Sequence, residues 1–274
     1  MKNRTLLTTV FSAFNYGSCL QAFAGKQIIQ KVGYECDLVK LKSLVKGRDV
    51  RFRKLMTILF RSLFLNKNNA LKTYGKSYEK TLVDGTERKF FAFTDEYLKP
   101  VEVSWRRLKS LAKEAVACFS GSDQIWNSST LYVDPLYYLR FAPKQKRIAL
   151  SPSFGRNFIA DYNKNKMKKW INDYPYLSVR EDSGVKLIKE LTGLEAQHLL
   201  DPTLIINSEE WRKNLHIEEK IKNYILAYFL DEPSSHAKNA LKALKEQLNC
   251  KVIALPYKFE DMDYCDEAVA AGPK

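Results

Sequence analysis

The densest run of side chains able to do chemistry is Gly121-Ser122-Asp123-Gln124-Ile125-Trp126-Asn127-Ser128. Just before it, Ala115-Val116-Ala117-Cys118-Phe119 is apolar and of strand length. A strand that empties into Gly-Ser-Asp presents polar groups at the carboxyl edge of an α/β sheet, where open sheets hold ligands. Ser122, Asp123, Gln124 and Asn127 supply a hydroxyl, a carboxylate and two amides, a set suited to a sugar or an anion. The same run also fits a turn and helix cap, with Asp123 accepting backbone N–H bonds and Trp126 filling the core.

Three further strand exits carry polar groups. Residues 5–11 read as a first strand, followed by Asn15-Tyr16-Gly17-Ser18 and then helical spacing through Leu20, Phe23, Ala24, Gln27 and Ile28. Ser18 is placed to cap that helix, so that free N–H groups and the helix dipole face the loop holding Asn15 and Tyr16, a geometry suited to an anion or a sugar hydroxyl. The loop has one glycine, which excludes the GxGxxG fingerprint and the Walker loop. Residues 147–151 form a buried strand that runs into Pro152-Ser153-Phe154-Gly155, and Leu177-Ser178-Val179 delivers Arg180 and Glu181. Four such exits in succession imply one cleft. The planar, permanently charged fork of Arg180 suits a phosphate or carboxylate, although Arg180 and Glu181 also fit a structural ion pair. A later strand at 197–200 delivers Asp201, Pro202 and Thr203.

The elements that position these groups follow a strand, loop, helix, strand order, with Gly33 ending the first helix and a strand at 36–41. Helices are expected at 103–111, at 164–174 with Met167, Trp170 and Ile171 inward, and at 184–191, closed by Gly193. Phe90, Phe91, Phe93 and Tyr97 read as core positions of a short element before Pro100. Between Lys40 and Lys72 basic residues dominate, with Asp49 the only acid. Residues 51–65 there form a basic amphipathic helix, for which three roles stand open: cover for the sheet, contact with a membrane surface or lipid-linked substrate, or a partner-binding or lid element. Asn66-Lys67-Asn68-Asn69 reads as a turn. A boundary falls between Ile206 and Asn223. It leaves an N-terminal α/β domain at 1–206, with a basic helical insertion around 42–80, and a linker with a partial second α/β domain at 207–274. The second domain has a strand at 225–230, a helix at 237–248 and a strand at 251–256, too little to bury a core alone.

Apolar residues make up 45% of the chain, enough for a sizeable core. A formal net charge of +14 points to anionic partners. Nucleic acid rests on that charge alone and is the weakest of these readings. Five cysteines without a CxxC pair and three separated histidines give no metal-ligand spacing and fit a reducing cytosol. The apolar run from Leu6 to Phe11 is too short to span a membrane. A soluble, cytoplasmic protein is expected, able to work at the inner face of the membrane.

Five stretches in order carry a family resemblance: Asn15-Tyr16-Gly17-Ser18-Cys19-Leu20-Gln21-Ala22-Phe23, Gly121 to Asn127, Ser153-Phe154-Gly155, Ser178-Val179-Arg180-Glu181 and Asp201-Pro202-Thr203-Leu204. Together they resemble the motifs of the polysaccharide pyruvyl transferases over essentially the whole chain. The resemblance implies a fold similar to the GT-B glycosyltransferases, built from two Rossmann-like domains, the second of them incomplete here. It implies transfer of a pyruvyl (carboxyethylidene) group from phosphoenolpyruvate to hydroxyls of a sugar, oligosaccharide or lipid-linked glycan, in exopolysaccharide or cell-wall synthesis, without metal or nucleotide cofactor. By resemblance Asp123 takes the acidic position of the Gly-Ser-Asp motif and Arg180 helps hold phosphoenolpyruvate. In the family pattern a later Asp-Ser-Phe-His-Gly-like motif brings a histidine to the donor site. The sequence stops at Ala271-Gly272-Pro273-Lys274 before it, so the chain reads as a truncated member.

The chemistry then divides as follows. Asp123 is the candidate general base for the attacking hydroxyl, with Glu181 behind it. Arg180 and the first turn at Ser18 hold the anion. Asn15, Tyr16, Gly17, Gln21, Ser122, Gln124, Asn127 and Ser153 complete the substrate-binding set. A GT-B-like glycosyltransferase using a sugar nucleotide, and a non-catalytic remnant that binds glycan or protein, are the alternatives.

Overall fold

The computed structural model describes residues 3–11, 15–43, 51–65, 86–218, 221–229, 232–255 and 263–268. The turn expected at 66–69, part of the loop before Asn15 and the last residues of the chain lie outside these. The chain divides into two compact units, Met1–Asn68 with Thr94–Glu210, and Asn69–Phe93 with Trp211–Lys274.

The first unit is built on a parallel sheet of five strands: β1 (Arg4–Thr8), β2 (Glu35–Leu41), β3 (Val101–Val103), β4 (Ala117–Ser120) and β5 (Arg147–Ala149). Their spatial order is β3-β2-β1-β4-β5, and every pairing is parallel. A bridge from Ile148 to Tyr176 leads on to the short pair β6 (Ser178–Val179) and β7 (Gln197–His198). This is the doubly wound order, and it reverses direction between β1 and β4. Parallel strands covered on both faces read as continuous apolar runs. Accordingly Leu6 and Leu7 of β1 and Cys118 of β4 are almost wholly buried.

Helix α1 (Tyr16–Lys31) follows β1 and α2 (Phe52–Phe64) follows β2. After α3 (Thr86–Phe93) and a π-turn at Thr94–Leu98 comes β3. Of the four aromatics expected in the core Phe90 is buried, while Phe91, Phe93 and Tyr97 are half-buried. Three residues are too few to show strand alternation, and β3 is not anticipated by the sequence pattern. The helix expected from 103 is α4 (Trp105–Glu114), set back because the Ser104 hydroxyl caps it by accepting the Arg107 N–H at 3.2 Å. Helix α5 (Asp161–Ile171) starts and ends three residues before the expected 164–174, α6 (Asp182–Thr192) contains the expected 184–191, and Gly193 closes α6 at φ 79°.

The core is centred on Trp126. Its ring stacks on Tyr138 at 5.2 Å and meets Phe154 and Tyr174 edge-on at 5.8 and 5.4 Å. Its indole N–H donates to the Tyr137 carbonyl at 3.1 Å. The loop that carries the polar cluster is thereby anchored from below by a large aromatic with its one donor satisfied.

Helix α7 (Ser208–Leu215) opens with a capping box, in which Asn207 and Glu210 bond each other's backbone N–H at 2.9 and 3.2 Å. The second unit carries β8 (Tyr224–Ala227), α8 (Ser235–Leu248), β9 (Lys251–Ala254) and β10 (Glu267–Ala268) in a parallel sheet of order β10-β9-β8. The strand–helix–strand unit is as expected, and β10 adds a third strand. Among the described residues no helix is long and apolar enough to cross a membrane.

Candidate functional site

The sheet reverses between β1 and β4, and the polar groups gather at the carboxyl ends of those two strands. Gly121 begins the loop because the strands leave no room for a side chain. A Cβ there would lie 2.9 Å from Leu7 Cδ1 and 3.0 Å from Thr9 Cβ. The Thr9 hydroxyl donates to the Ser122 carbonyl at 2.7 Å, stitching the two exits together. Asp123 sits at φ 72°, a left-handed conformation that costs a non-glycine residue about 1 kcal/mol. That conformation directs the Asp123 carbonyl to the Ser153 and Ile125 N–H groups at 2.9 and 2.7 Å.

The Asp123 carboxylate accepts from the Ser18 hydroxyl at 2.5 Å and from the Gln124 N–H at 2.7 Å. This corrects one expectation. Ser18 does not cap α1; Asn15 does, accepting the Ser18 N–H at 3.0 Å. The Ser18 hydroxyl is thereby free to join the helix start to Asp123. Gln21, three residues on, is buried, and its amide donates to Thr9 Oγ1 at 3.0 Å and to the carbonyls of Val10 and Ser18 at 2.5 and 2.8 Å. Those bonds make it a brace for the β1–α1 loop. Tyr16 is half-buried and Gly17 exposed at the same turn.

On the other side of the Ser122–Asp123 peptide lies a second cluster. The buried Ser122 hydroxyl donates to Asp201 Oδ2 at 2.7 Å, and Arg180 Nη1 donates to the same oxygen at 2.8 Å. Arg180 Nε reaches Glu181 Oε1 at 3.4 Å. The other Asp201 oxygen accepts from the Thr203 N–H and hydroxyl at 3.0 and 2.7 Å. Burial pushes the Asp201 carboxyl up, but the bonds from Ser122, Thr203 and Arg180 outweigh it and hold the group below the usual carboxylate range. Burial works against the Arg180 charge as well, and Asp201 more than offsets it, so the guanidinium is held above its usual value. Arg180 Nη2 has no partner among the described residues, and 28% of the side chain is exposed, so one edge of the fork is open. Glu181 Oε2 is buried without a hydrogen bond. His198 stands just behind, with Nε2 3.0 Å from the Arg180 carbonyl and Nδ1 2.8 Å from Asp182.

The remaining expected residues shape the loops. Ser153 is buried, and its hydroxyl accepts the Gly155 N–H at 3.0 Å. Gly155 lies at φ 62°, and a Cβ there would come within 2.6 Å of Gln124 Cδ, so Gln124 lies directly over it. Asn127 accepts from the N–H and the hydroxyl of Ser129, both at 3.0 Å, and donates to Gln124 Oε1 at 3.4 Å. The structure thus brings Ser18, Asp123, Ser122, Arg180, Glu181 and Gln124 together. Asn15, Gln21, Asn127 and Ser153 support them from the loops behind. Asp201 belongs with the first group and was not among the expected site residues. Its signal was its position at a fifth strand exit.

This Rossmann-like α/β unit carries a half-buried arginine, carboxylates and hydroxyls at its switch point, where open α/β sheets hold ligands. The chain belongs to the polysaccharide pyruvyl transferase family, whose model matches residues 15–269. No curated protein matches it. The family makes this a transferase of polysaccharide synthesis, with a sugar or glycan as acceptor.

Proposed function

We propose that the chain transfers a pyruvyl group from phosphoenolpyruvate to two hydroxyls of one sugar, forming a cyclic ketal and releasing inorganic phosphate. The observation that carries this reading is the Arg180 fork, fixed on one side by Asp201 and Ser122 and open on the other. A guanidinium so held is pre-organised for a phosphate or carboxylate, because the ordering cost has been met before the ligand arrives. Asp123 faces the same loop and is the base. It takes the proton of the first sugar hydroxyl as that oxygen bonds to C2 of the enol, while C3 gains a proton and becomes the methyl group. The C2–O bond to phosphate then breaks, and the second hydroxyl closes on C2, its proton leaving with the phosphate. Ser18 orients the Asp123 carboxylate, and Glu181, with one oxygen unpaired, is the second acceptor. By family resemblance the acid for C3 is the histidine of the Asp-Ser-Phe-His-Gly-like motif. The sheet order of the first unit and the parallel sheet of the second favour a GT-B-like pair of Rossmann-like units. No metal or nucleotide cofactor enters this scheme.

The test is incubation with phosphoenolpyruvate and a panel of glycosides, reading phosphate release and ketal formation on the acceptor. Asp123→Asn is expected to lower kcat by about 10²–10⁴-fold, with phosphoenolpyruvate affinity retained. Full turnover by that variant would remove Asp123 from the mechanism. Binding of a sugar nucleotide in place of phosphoenolpyruvate would favour a glycosyltransferase.

A further inference from the structure

Helix α2 is amphipathic in the reverse sense. The sequence offers three roles for it, and cover for the sheet is the one the structure overturns. Its inward side is polar. Arg61 donates to Asn163 Oδ1 at 2.8 Å and lies over the Tyr162 ring at 5.7 Å, Ser62 is buried, and Arg51, just before the helix, pairs with the buried Asp134. Ile58 is the only buried apolar residue of the helix. Its outward side is apolar. Phe52, Met56, Leu59, Phe60, Leu63 and Phe64 recur at helical spacing and are 38–74% exposed. Phe60 and Phe64 lie 4.3 Å apart between ring centroids, so the stripe is continuous at its C-terminal end. A patch of this kind on a water-soluble surface marks an interaction site.

Beside the stripe opens a cavity of about 620 Å³, at the carboxyl ends of β2 and β3. It shares no residue with the Arg180 and Asp123 cluster. Among the described residues Lys42, Arg53, Lys109 and Lys166 line it without forming an ion pair, and no carboxylate is among its lining residues. Arg140 and Lys166 lie over the Trp170 ring at 5.6 and 5.2 Å. Burial, then Arg61 and Arg53, hold the Lys166 ammonium below its usual value. Arg53 and Thr57 of α2 belong to the cavity wall, so the apolar stripe and the cationic cavity are two sides of one helix.

The geometry points to α2 as a membrane-docking helix: its outward apolar stripe enters an anionic lipid surface, and the adjoining cavity takes the phosphate head group of a lipid in that surface. An interfacial helix needs this pairing of a large apolar face with nearby cations. A second copy of the chain is the poorer occupant, because it would bring an identical basic cavity against this one. The inference does not depend on the pyruvyl transfer, since vesicle binding is read without turnover.

The experiment is co-sedimentation of the protein with vesicles of phosphatidylcholine alone and of phosphatidylcholine with phosphatidylglycerol. Binding is expected to the anionic vesicles only. Phe60→Ser with Phe64→Ser should weaken it by about tenfold or more. Arg53→Glu with Lys109→Glu should weaken it by about tenfold or more while leaving the stripe intact. Both double variants change exposed or cavity-lining side chains outside the Arg180 cluster, so near-ultraviolet circular dichroism and phosphoenolpyruvate binding are expected to match the parent. Equal sedimentation of the parent and the Phe60/Phe64 variant would overturn the inference. So would a dimer, seen by analytical ultracentrifugation, that the same variant dissociates. Binding of inorganic phosphate in the cavity without vesicle binding would overturn it as well, and would assign the cavity to a soluble phosphate compound.

Discussion

Replacing Asp201 by asparagine tests how the proposed anion site is held. The wild-type carboxylate serves two masters: one oxygen accepts from Thr203, the other from Ser122 at 2.7 Å and Arg180 at 2.8 Å. An asparagine that keeps its oxygen toward Thr203 must turn its NH2 toward a hydroxyl and a guanidinium, which placed their donors there. Two hydrogen bonds to a charged acceptor are lost, each worth about 1.5–3 kcal/mol when intact. The side chains of Arg180 and Asp201 are 28% and 15% exposed, so water recovers part of that loss. A net destabilisation of about 2–3 kcal/mol follows, short of the roughly 3–5 kcal/mol for breaking a fully buried pair. For a unit of this size that lowers Tm by about 4–12 °C. The guanidinium, left with Glu181 at 3.4 Å, swings away from Ser122, and phosphoenolpyruvate affinity falls by about 10–100-fold. Differential scanning calorimetry gives the first number and isothermal titration with phosphoenolpyruvate the second. A variant that loses the stability but binds phosphoenolpyruvate as the parent does would refute Arg180 as the donor's holder.

Two further outcomes are expected. Gly155→Ala should destabilise by about 1–3 kcal/mol and displace Gln124, because the position has φ 62° and a Cβ would collide with the Gln124 amide; a denaturation midpoint equal to the parent's would contradict the packing. Asp173 is half-buried among Arg140, Lys144 and Arg147; its partial burial raises its carboxyl, but Lys144 and Arg140 outweigh it and bring the value to about 2. A folded value below the ordinary 3.8 means that its contribution is complete above 3.8 and is lost as pH falls through about 2. Asp173→Asn should therefore be less stable than the parent at neutral pH, with the two converging in strong acid; a gap that widens as pH falls would reverse the sign.

Much of the candidate site's clustering could be read in the sequence because strand exits announce themselves by composition. Apolar runs end in Gly-Ser-Asp, Ser-Phe-Gly and Arg-Glu, and the doubly wound order brings such ends to one edge. Trp126 filled the core as one of its two readings required. What local pattern left open was which of two nearby polar groups a partner would claim. Asn15 and Ser18 are three residues apart and both chemically able to cap α1; the contact of Ser18 with Asp123, 105 positions away, selects Asn15 for the cap. Asp201, delivered by the strand expected at 197–200, caps the Pro202–Leu204 turn through Oδ1. Its second oxygen holds Arg180, and sequence spacing carries no sign of that double use. Strands β3 and β10 were missed because three and two residues cannot display alternation.

Helix α2 shows the deeper limit. Periodicity at 3.6 residues measures how well apolar and polar side chains separate around an axis, and says nothing about which side faces the protein. The usual assumption, apolar side inward, holds when the helix has an apolar surface to cover. Here the surface it meets offers Asp134, Asn163 and the carbonyls of Leu131 and Tyr162. These acceptors match Arg51 and Arg61, and burying phenylalanine over them would leave each without a donor, at a cost of about 1–3 kcal/mol apiece. The polar side therefore turns inward, and the six large apolar residues left outside need a partner that the chain's described residues do not supply.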